Sequence, residues 1–217
     1  MVWLAIDTST DCATFALKVG EQLYEREQAE VRTHAQTILQ HIDELLKEAH
    51  IKLQDLQGLL VGRGPGSFTG LRVACAVAKG LAFPHQLPIY PVSNLAWFAW
   101  MARSKYPNET ILSVMDARMQ QVYWALYPKD YWEAKEQVHE MANIPNPKGS
   151  FVLAGYHFHE YEAQIPKNWS IIAEMNITPK AYAMIEMLEA NLLQSTDALH
   201  FEPVYIRDHV TQGKSNG

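Results

Sequence analysis

Cysteine and basic residues are both scarce in this chain. Its 217 residues include two cysteines, Cys12 and Cys75, too few for a disulfide framework and typical of a protein of the reducing cytoplasm. Lysine and arginine together number 18, against 24 aspartates and glutamates, for a formal net charge of −6. Because binding to a nucleic-acid backbone needs a basic surface, we do not expect this chain to bind RNA unaided. It also lacks a basic leader and a long uncharged apolar run, so we expect a soluble, cytoplasmic protein without a membrane partner.

Several familiar site motifs are missing as well. Nine histidines are present, but no two have the H-x-x-x-H spacing that places a pair of metal ligands on one helical face. The glycine turn at residues 62–70 fits neither the G-x-x-x-x-G-K-[ST] phosphate loop nor the G-x-G-x-x-G dinucleotide fingerprint. Ser67 has no G-x-S-x-G frame around it. From these motifs we therefore assign no metal-ligating residue and no catalytic residue.

Residues 58–83 are the stretch on which the sequence is most informative. The apolar run 59–61 predicts a buried strand, the glycines that follow predict a tight turn, and Ser67 or Thr69 can cap a helix that continues to about Phe83. The N-terminus of a helix attracts anions, but such a turn also serves simply to pack a strand against a helix. Both interpretations stay open for a candidate anion or partner loop formed by Arg63, Gly64, Gly66, Ser67, Thr69 and Arg72.

The helix predicted after this turn has almost no polar face. Small residues dominate it, and charge occurs only at Arg72 and Lys79. A helix that is apolar nearly all round is buried on more than one side. One side is expected to meet its own sheet, and the other a neighbouring helix or another chain.

A short internal repeat suggests that the chain is duplicated. A strand that ends at Asp7 and a later strand that ends at Asp116 are each followed, at the same spacing, by an Ala-Leu pair in a predicted return strand. The repeat predicts an N-terminal lobe over 1–104 and a C-terminal lobe over 105–208, with a disordered tail over 209–217. In this arrangement Asp7 and Asp116 would face each other across a cleft, where they could hold Mg²⁺ or simply end strands.

These features together resemble the TsaB (YeaZ) family over nearly the whole chain. The most specific part is the block V-G-R-G-P-G-S-F-T-G-L-R at 61–72, and weaker matches are A-I-D-T-S-T at 5–10, H-A-Q at 34–36, D-A-R at 116–118, V-Y-W at 122–124 and P-V-Y at 203–205. The resemblance implies an α/β fold of the actin-like, Hsp70-like, sugar-kinase-like (ribonuclease H-like) group. In that fold, duplicated lobes contain mixed sheets flanked by helices.

The resemblance also implies a function. The implied function is that of a non-catalytic partner of TsaD. In the family, TsaD transfers threonylcarbamoyl from threonylcarbamoyl-adenylate to the adenosine beside the anticodon of tRNAs reading codons that start with A. The partners implied are TsaD and TsaE, a homodimer when the chain is alone, and tRNA only through the complex. No cofactor of its own is expected, and ATP, ADP and metal would belong to TsaD or TsaE. The first polar turn, 7–10, has no glycine that would let the backbone approach a phosphate, so we expect no independent ATPase activity.

In the family the first two helices pair with the partner, which implies an interface formed by Ile38, His41, Leu45, Val73, Ala76, Val77 and Gly80. Two alternatives remain: an ATP-dependent small-molecule kinase of the same superfamily, which the weak phosphate loop disfavours, and a peptidase-like protein, which the missing metal pair or triad disfavours.

Overall fold

The computed structural model describes residues 1–29 and 34–207, and the predicted tail 209–217 lies outside these ranges. The first half contains β1 (Val2–Asp7), β2 (Ala13–Val19), β3 (Gln22–Gln28), α1 (His34–Glu48), β4 (Gly58–Gly64), α2 (Phe68–Ala82), β5 (Ile89–Ser93) and α3 (Asn94–Arg103). The second half contains β6 (Ile111–Asp116), β7 (Val122–Tyr127), β8 (Gln137–His139), β9 (Phe151–Tyr156), β10 (Ile171–Asn176) and α4 (Tyr182–Glu189).

The strands form two five-stranded mixed sheets with the same connectivity. Their orders are β3-β2-β1-β4-β5 and β10-β9-β6-β7-β8. In each sheet the first strand pairs antiparallel with the second and parallel with the fourth, and the fourth pairs parallel with the fifth. This repeated topology confirms the predicted duplicated-lobe α/β fold. The boundary between residues 104 and 105 stays a prediction.

The two hairpins differ in register by one residue, which corrects the predicted equivalence of Asp7 and Asp116. Ala5 lies opposite Ala16, whereas Val114 lies opposite Trp124 rather than Ala125. Successive strand side chains point to opposite faces, so Asp7 shares a face with Ala5 and Asp116 shares a face with Val114. Ala5 packs in the core between the sheets, but Val114 packs on the outer side of the second sheet. The two aspartates therefore do not face each other.

Three apolar cores hold the fold together. The central one places α3 and α4 between the two sheets, with Trp97 and Phe98 of α3 fully buried in it. A second core lies between the first sheet and α1 and α2. The third lies under residues 141–169, on the outer side of the second sheet. Both faces of the central strands are covered, which explains why their sequences are apolar throughout rather than alternating.

Some local predictions differ from the structure. The Thr178-Pro179 pair predicts a helix start with proline at the first helical position, and the apolar residues that follow at helical spacing predict that the helix runs to about Leu193. In the structure this last helix spans only Tyr182–Glu189. The polar stretch 128–150, in which the sequence predicts only a loop and a short helix, also contributes the edge strand β8. That strand has only three residues, too few for a hydrophobic alternation to be recognised.

Candidate functional site

A cleft of about 760 Å³ lies where the two halves of the chain and its C-terminal segment meet. It is lined by residues 9–11, 65–68, 71–72, 115–118, 123, 156–157 and 204–207. The loops after β1 and β4 form one wall, the loops after β6 and β9 form the opposite wall, and the C-terminal segment closes one end. Asp116 lines this cleft, but Asp7 does not.

The glycine turn fills the space directly above the first polar turn. A Cβ built on Gly70 would lie 1.8 Å from the carbonyl oxygen of Thr8, and one on Gly66 would lie 2.7 Å from the Cβ of Ser9. The amide of Ser67 donates to the carbonyl of Ser9 at 2.7 Å, and the hydroxyl of Thr8 donates to the carbonyl of Gly70 at 2.7 Å. Of the two open interpretations of this turn, close packing accounts for Gly66 and Gly70.

Asp7 lies beneath this packed layer and is fully buried. Its carboxylate accepts hydrogen bonds from the amide and hydroxyl of Ser9 at 2.8 to 3.1 Å, and a Cβ on Gly62 would come within 2.0 Å of it. Burial raises the pKa of Asp7 from 3.8 to about 6, although hydrogen bonds from Ser9 and Asn94 oppose the rise. The prediction that Asp7 faces the cleft is therefore wrong, because the glycine turn covers it.

The raised pKa of Asp7 predicts a pH-dependent stability. Its folded-state pKa lies above the unfolded value, so the folded chain binds more protons between about pH 4 and 6, and the free energy of unfolding falls as the pH rises through that window. An Asp7→Asn variant has no such charge to bury. We expect its stability relative to the wild type to increase by up to roughly 3 kcal/mol between pH 4 and pH 7.

Urea unfolding at a series of pH values measures this difference, with the exposed Asp130→Asn as the matched control. A difference between the Asp7→Asn variant and the wild type that stays constant with pH would contradict the prediction.

Arg63 is not available to bind an anion. Its guanidinium forms a forked ion pair with Glu136 at 2.8 and 3.2 Å, and the hydroxyl of Ser93 donates to the same carboxylate. The Glu136 side chain is only 8% exposed. Arg63 therefore joins the first sheet to the loop before β8, and its predicted role in an anion loop is corrected to this pairing.

The remaining loop residues have separate structural environments. Ser67 caps α2, with its hydroxyl accepting weakly from the amide of Gly70 at 3.4 Å. Gly64 has a φ of +107°, and a Cβ there would lie 2.9 Å from the carbonyl of Val204, so only glycine fits. Thr69 is exposed at the start of α2. Of the predicted loop residues, Gly66, Ser67 and Arg72 line the cleft.

Arginines dominate the charged part of the cleft. Arg72 comes from α2, Arg118 from the loop after β6 and Arg207 from the C-terminal segment. Arg118 contacts Asp116 at 3.1 Å and Asp11 at 3.9 Å. Asp116 also accepts a 2.5 Å hydrogen bond from the hydroxyl of Tyr161. The sequence offers no signal for Arg207, because it belongs to a tail whose path depends on tertiary contacts.

The predicted partner interface is partly buried inside the chain itself. Ile38 and Leu45 are 1% and 0% exposed and pack against the first sheet, so their assignment to a partner surface is wrong. His41 is half-buried and packs on Phe15, with the two ring centroids 5.2 Å apart. A helix has one core-facing stripe, and the apolar residues at helical spacing in α1 form that stripe.

The outer side of α2 is different. Ala76 and Gly80 are exposed there, with Val73 and Val77 half-buried beside them. Phe83, just beyond the end of α2, is 62% exposed, and Leu39 of α1 is 57% exposed. The sequence prediction omitted Phe83 and Leu39. Their exposure indicates that the apolar surface uses the outer sides of α1 and α2 rather than the core-facing stripe of α1.

Neither a membrane span nor a metal cluster is found in the part of the chain that the structure describes. No helix within these ranges has the length and hydrophobicity needed to cross a membrane. Within the same ranges, histidine, cysteine, aspartate and glutamate side chains form no group of three that could hold a metal ion.

Comparison with known proteins identifies the family. Residues 27–161 match the family model described as TsaD: tRNA N6-adenosine threonylcarbamoyltransferase. The chain is 34% identical to the tRNA threonylcarbamoyladenosine biosynthesis protein TsaB of Haemophilus influenzae, over 99% of this chain and 97% of that one. It is 31% identical to the Escherichia coli protein of the same name, over 99% and 98%. The solved structure of YeaZ from Pseudomonas aeruginosa superposes with a TM-score of 0.81 at 30% identity, covering 94% of this chain and 99% of that one. The chain therefore belongs to the TsaB (YeaZ) family.

Proposed function

We propose that this chain takes part in tRNA threonylcarbamoyladenosine biosynthesis as the non-catalytic partner of TsaD. TsaB relatives that match over almost the full length of both chains support the process. The partner role depends above all on one observation, the exposed apolar surface along the outer side of α2.

That surface has the properties of a helix-pairing interface. Ala76 and Gly80 are small and lie four residues apart, so another helix can approach α2 closely there. Large apolar residues are also exposed just beyond the end of α2, at Phe83, and on α1, at Leu39. Exposed apolar surface on a folded domain marks a site of association. We propose that TsaD covers it in the complex, and that a second copy covers it when the chain is alone.

The close packing of the first polar turn, residues 7–10, supports a role in which this chain does not itself catalyse the reaction. Thr8, Ser9 and Thr10 are between 1% and 4% exposed, and the turn before α2 lies directly on Thr8 and Ser9. The amides of Ser9 and Ser67 donate to protein oxygens. A phosphate would have to displace this packed layer to reach the backbone. We therefore propose that nucleotide and metal bind to TsaD or TsaE, with TsaE as a further partner.

The same geometry weighs against the two alternatives. A small-molecule kinase needs an open phosphate cradle, and the glycine turn occupies that place. A serine-dependent peptidase needs a hydroxyl activated by a neighbouring base, whereas the hydroxyl of Ser67 caps α2.

Reconstitution tests the proposal. We expect this chain and the TsaD of the same organism to elute together at the mass of a hetero-oligomer by size-exclusion light scattering. We also expect threonylcarbamoyl transfer to tRNA to fall to background when this chain is left out. Transfer that proceeds equally well without it, or two proteins that elute separately, would reject the partner role.

A further inference from the structure

Two arginines at the rim of the cleft have no carboxylate partner among residues 1–29 and 34–207. The Nε of Arg72 donates to the hydroxyl of Tyr205 at 3.4 Å, and its guanidinium lies 3.7 Å from the centroid of the Phe68 ring. Arg207 donates to Gln121 Oε1 at 2.5 Å and to Met119 Sδ at 3.2 Å. Arg26, Arg63 and Arg118, by contrast, are each paired with an acidic side chain.

These neutral partners position the two guanidiniums without cancelling their charge. Tyr205 stands two residues before Arg207 and contacts Arg72, so one short segment links both groups. A guanidinium has five N–H donors, and the contacts above use only some of them. Oriented but uncompensated arginines are suited to bind an anion from outside the chain.

The same rim presents flat apolar surface. Phe68 and Tyr205 have ring centroids 4.9 Å apart, and the residues are 46% and 39% exposed. Phe68 is also the first residue of α2, where the helix dipole adds positive potential. An anion that binds here can contact both the positively charged guanidiniums and the exposed aromatic rings.

The chemistry of the rim favours a nucleic-acid strand over a compact polyphosphate. A nucleotide phosphate chain is normally held by several backbone amides, and here the first turn is buried beneath the glycine turn. Side-chain guanidiniums beside exposed rings instead match a phosphodiester backbone with unstacked bases, the form in which proteins usually bind RNA loops.

We propose that the rim formed by Phe68, Arg72, Tyr205 and Arg207 contacts the substrate tRNA when this chain is bound to TsaD, an inference that rests on the proposed function. Two phosphate contacts on a chain with a net charge of −6 give weak binding alone, so the contact acts within the complex. This identifies a substrate-contacting surface at the N-terminal end of α2, one helical turn from the exposed Ala76 that we propose TsaD covers.

The test measures tRNA binding by the assembled complex of this chain and TsaD. Fluorescence anisotropy is recorded with a tRNA reading a codon that starts with A, at several salt concentrations, for the wild type and for Arg72→Gln/Arg207→Gln. We expect the double variant to bind roughly 10- to 100-fold more weakly at low salt and to lower the salt slope by about two. The matched control is Lys52→Gln/Lys148→Gln, which removes two exposed positive charges outside the cleft, and it should bind like the wild type.

The outcomes separate this inference from the proposed function. If wild-type chain and TsaD associate but the Arg double variant binds tRNA like the Lys control, the rim does not contact tRNA. If the Arg double variant instead loses mass in light scattering while the Lys control stays assembled, the rim binds protein, which also overturns the inference. Photo-crosslinking of 4-thiouridine tRNA to the wild-type complex gives a second measurement, and crosslinks at Phe68 or Tyr205 are expected. Crosslinks confined to TsaD would contradict it.

Discussion

The Ala76→Glu variant is expected to lose association with TsaD while its own fold remains intact. Ala76 is exposed on α2, so the longer side chain extends into solvent in the isolated chain. In a helix-to-helix interface the same carboxylate would be buried without a partner, which costs several kcal/mol. We expect the dissociation constant to rise by roughly 100-fold or more, since each 1.4 kcal/mol is a factor of ten.

Light scattering measures whether the variant still associates with TsaD, and the transfer assay measures whether threonylcarbamoyl transfer to tRNA is lost as well. Ala142→Glu is the matched control, since Ala142 is also exposed but lies in the loop after β8. It should leave both mass and transfer unchanged. If Ala76→Glu associates as tightly as the control, the outer side of α2 is not the interface. A loss of helical signal by circular dichroism would instead show that Ala76 has a structural role.

The Gly70→Ala variant is expected to lose much of the stability of the chain. The added methyl would lie 1.8 Å from the carbonyl oxygen of Thr8 and 2.7 Å from its carbonyl carbon, and both are backbone atoms with no rotamer to change. Either α2 or the first turn must shift, which breaks the hydrogen bond from the Thr8 hydroxyl to the Gly70 carbonyl. We expect the free energy of unfolding to fall by about 3 kcal/mol or more. For a chain of this size that lowers the melting temperature by about 6 to 12 °C.

Gly80→Ala provides the control on the same helix. A Cβ at Gly80 has nothing within 4 Å, so alanine there should raise stability by about 0.5 to 1 kcal/mol through its higher helix propensity. Chemical denaturation of both variants measures these changes in the free energy of unfolding. Equal effects of the two substitutions would mean that the close approach of Gly70 to Thr8 does not constrain the fold.

Local signals in the sequence were enough to predict most elements near the site. Ser67 precedes an apolar run, is predicted as a possible helix cap, and caps α2 in the structure. The apolar run 59–61 forms the centre of β4. These elements depend on neighbours within a few residues, which is the range over which capping, propensity and periodicity act.

Contacts between residues far apart in the sequence were not predicted, because these local signals act over only a few residues. Arg63 and Glu136 are 73 residues apart, and no local sequence pattern predicts their pairing. Arg207 reaches the loop after β6 only because the C-terminal segment crosses the end of β4, where the Val204 amide donates to the carbonyl of Arg63. Ile38 and Leu45 fit an apolar stripe equally well for a core or for a partner, and periodicity cannot distinguish the two.

The sequence by itself determined the family, the duplicated α/β fold and the glycine turn, because these follow from residue type and spacing along the chain. Only the tertiary structure decided how the turn is used. In the folded chain Gly70 packs against Thr8, and the turn covers Asp7. The space in which the turn could have held an anion is therefore occupied by the chain itself. Within residues 1–29 and 34–207, the tertiary structure also decided which arginines have no carboxylate partner, since charge compensation depends on distances between side chains rather than on their order in sequence.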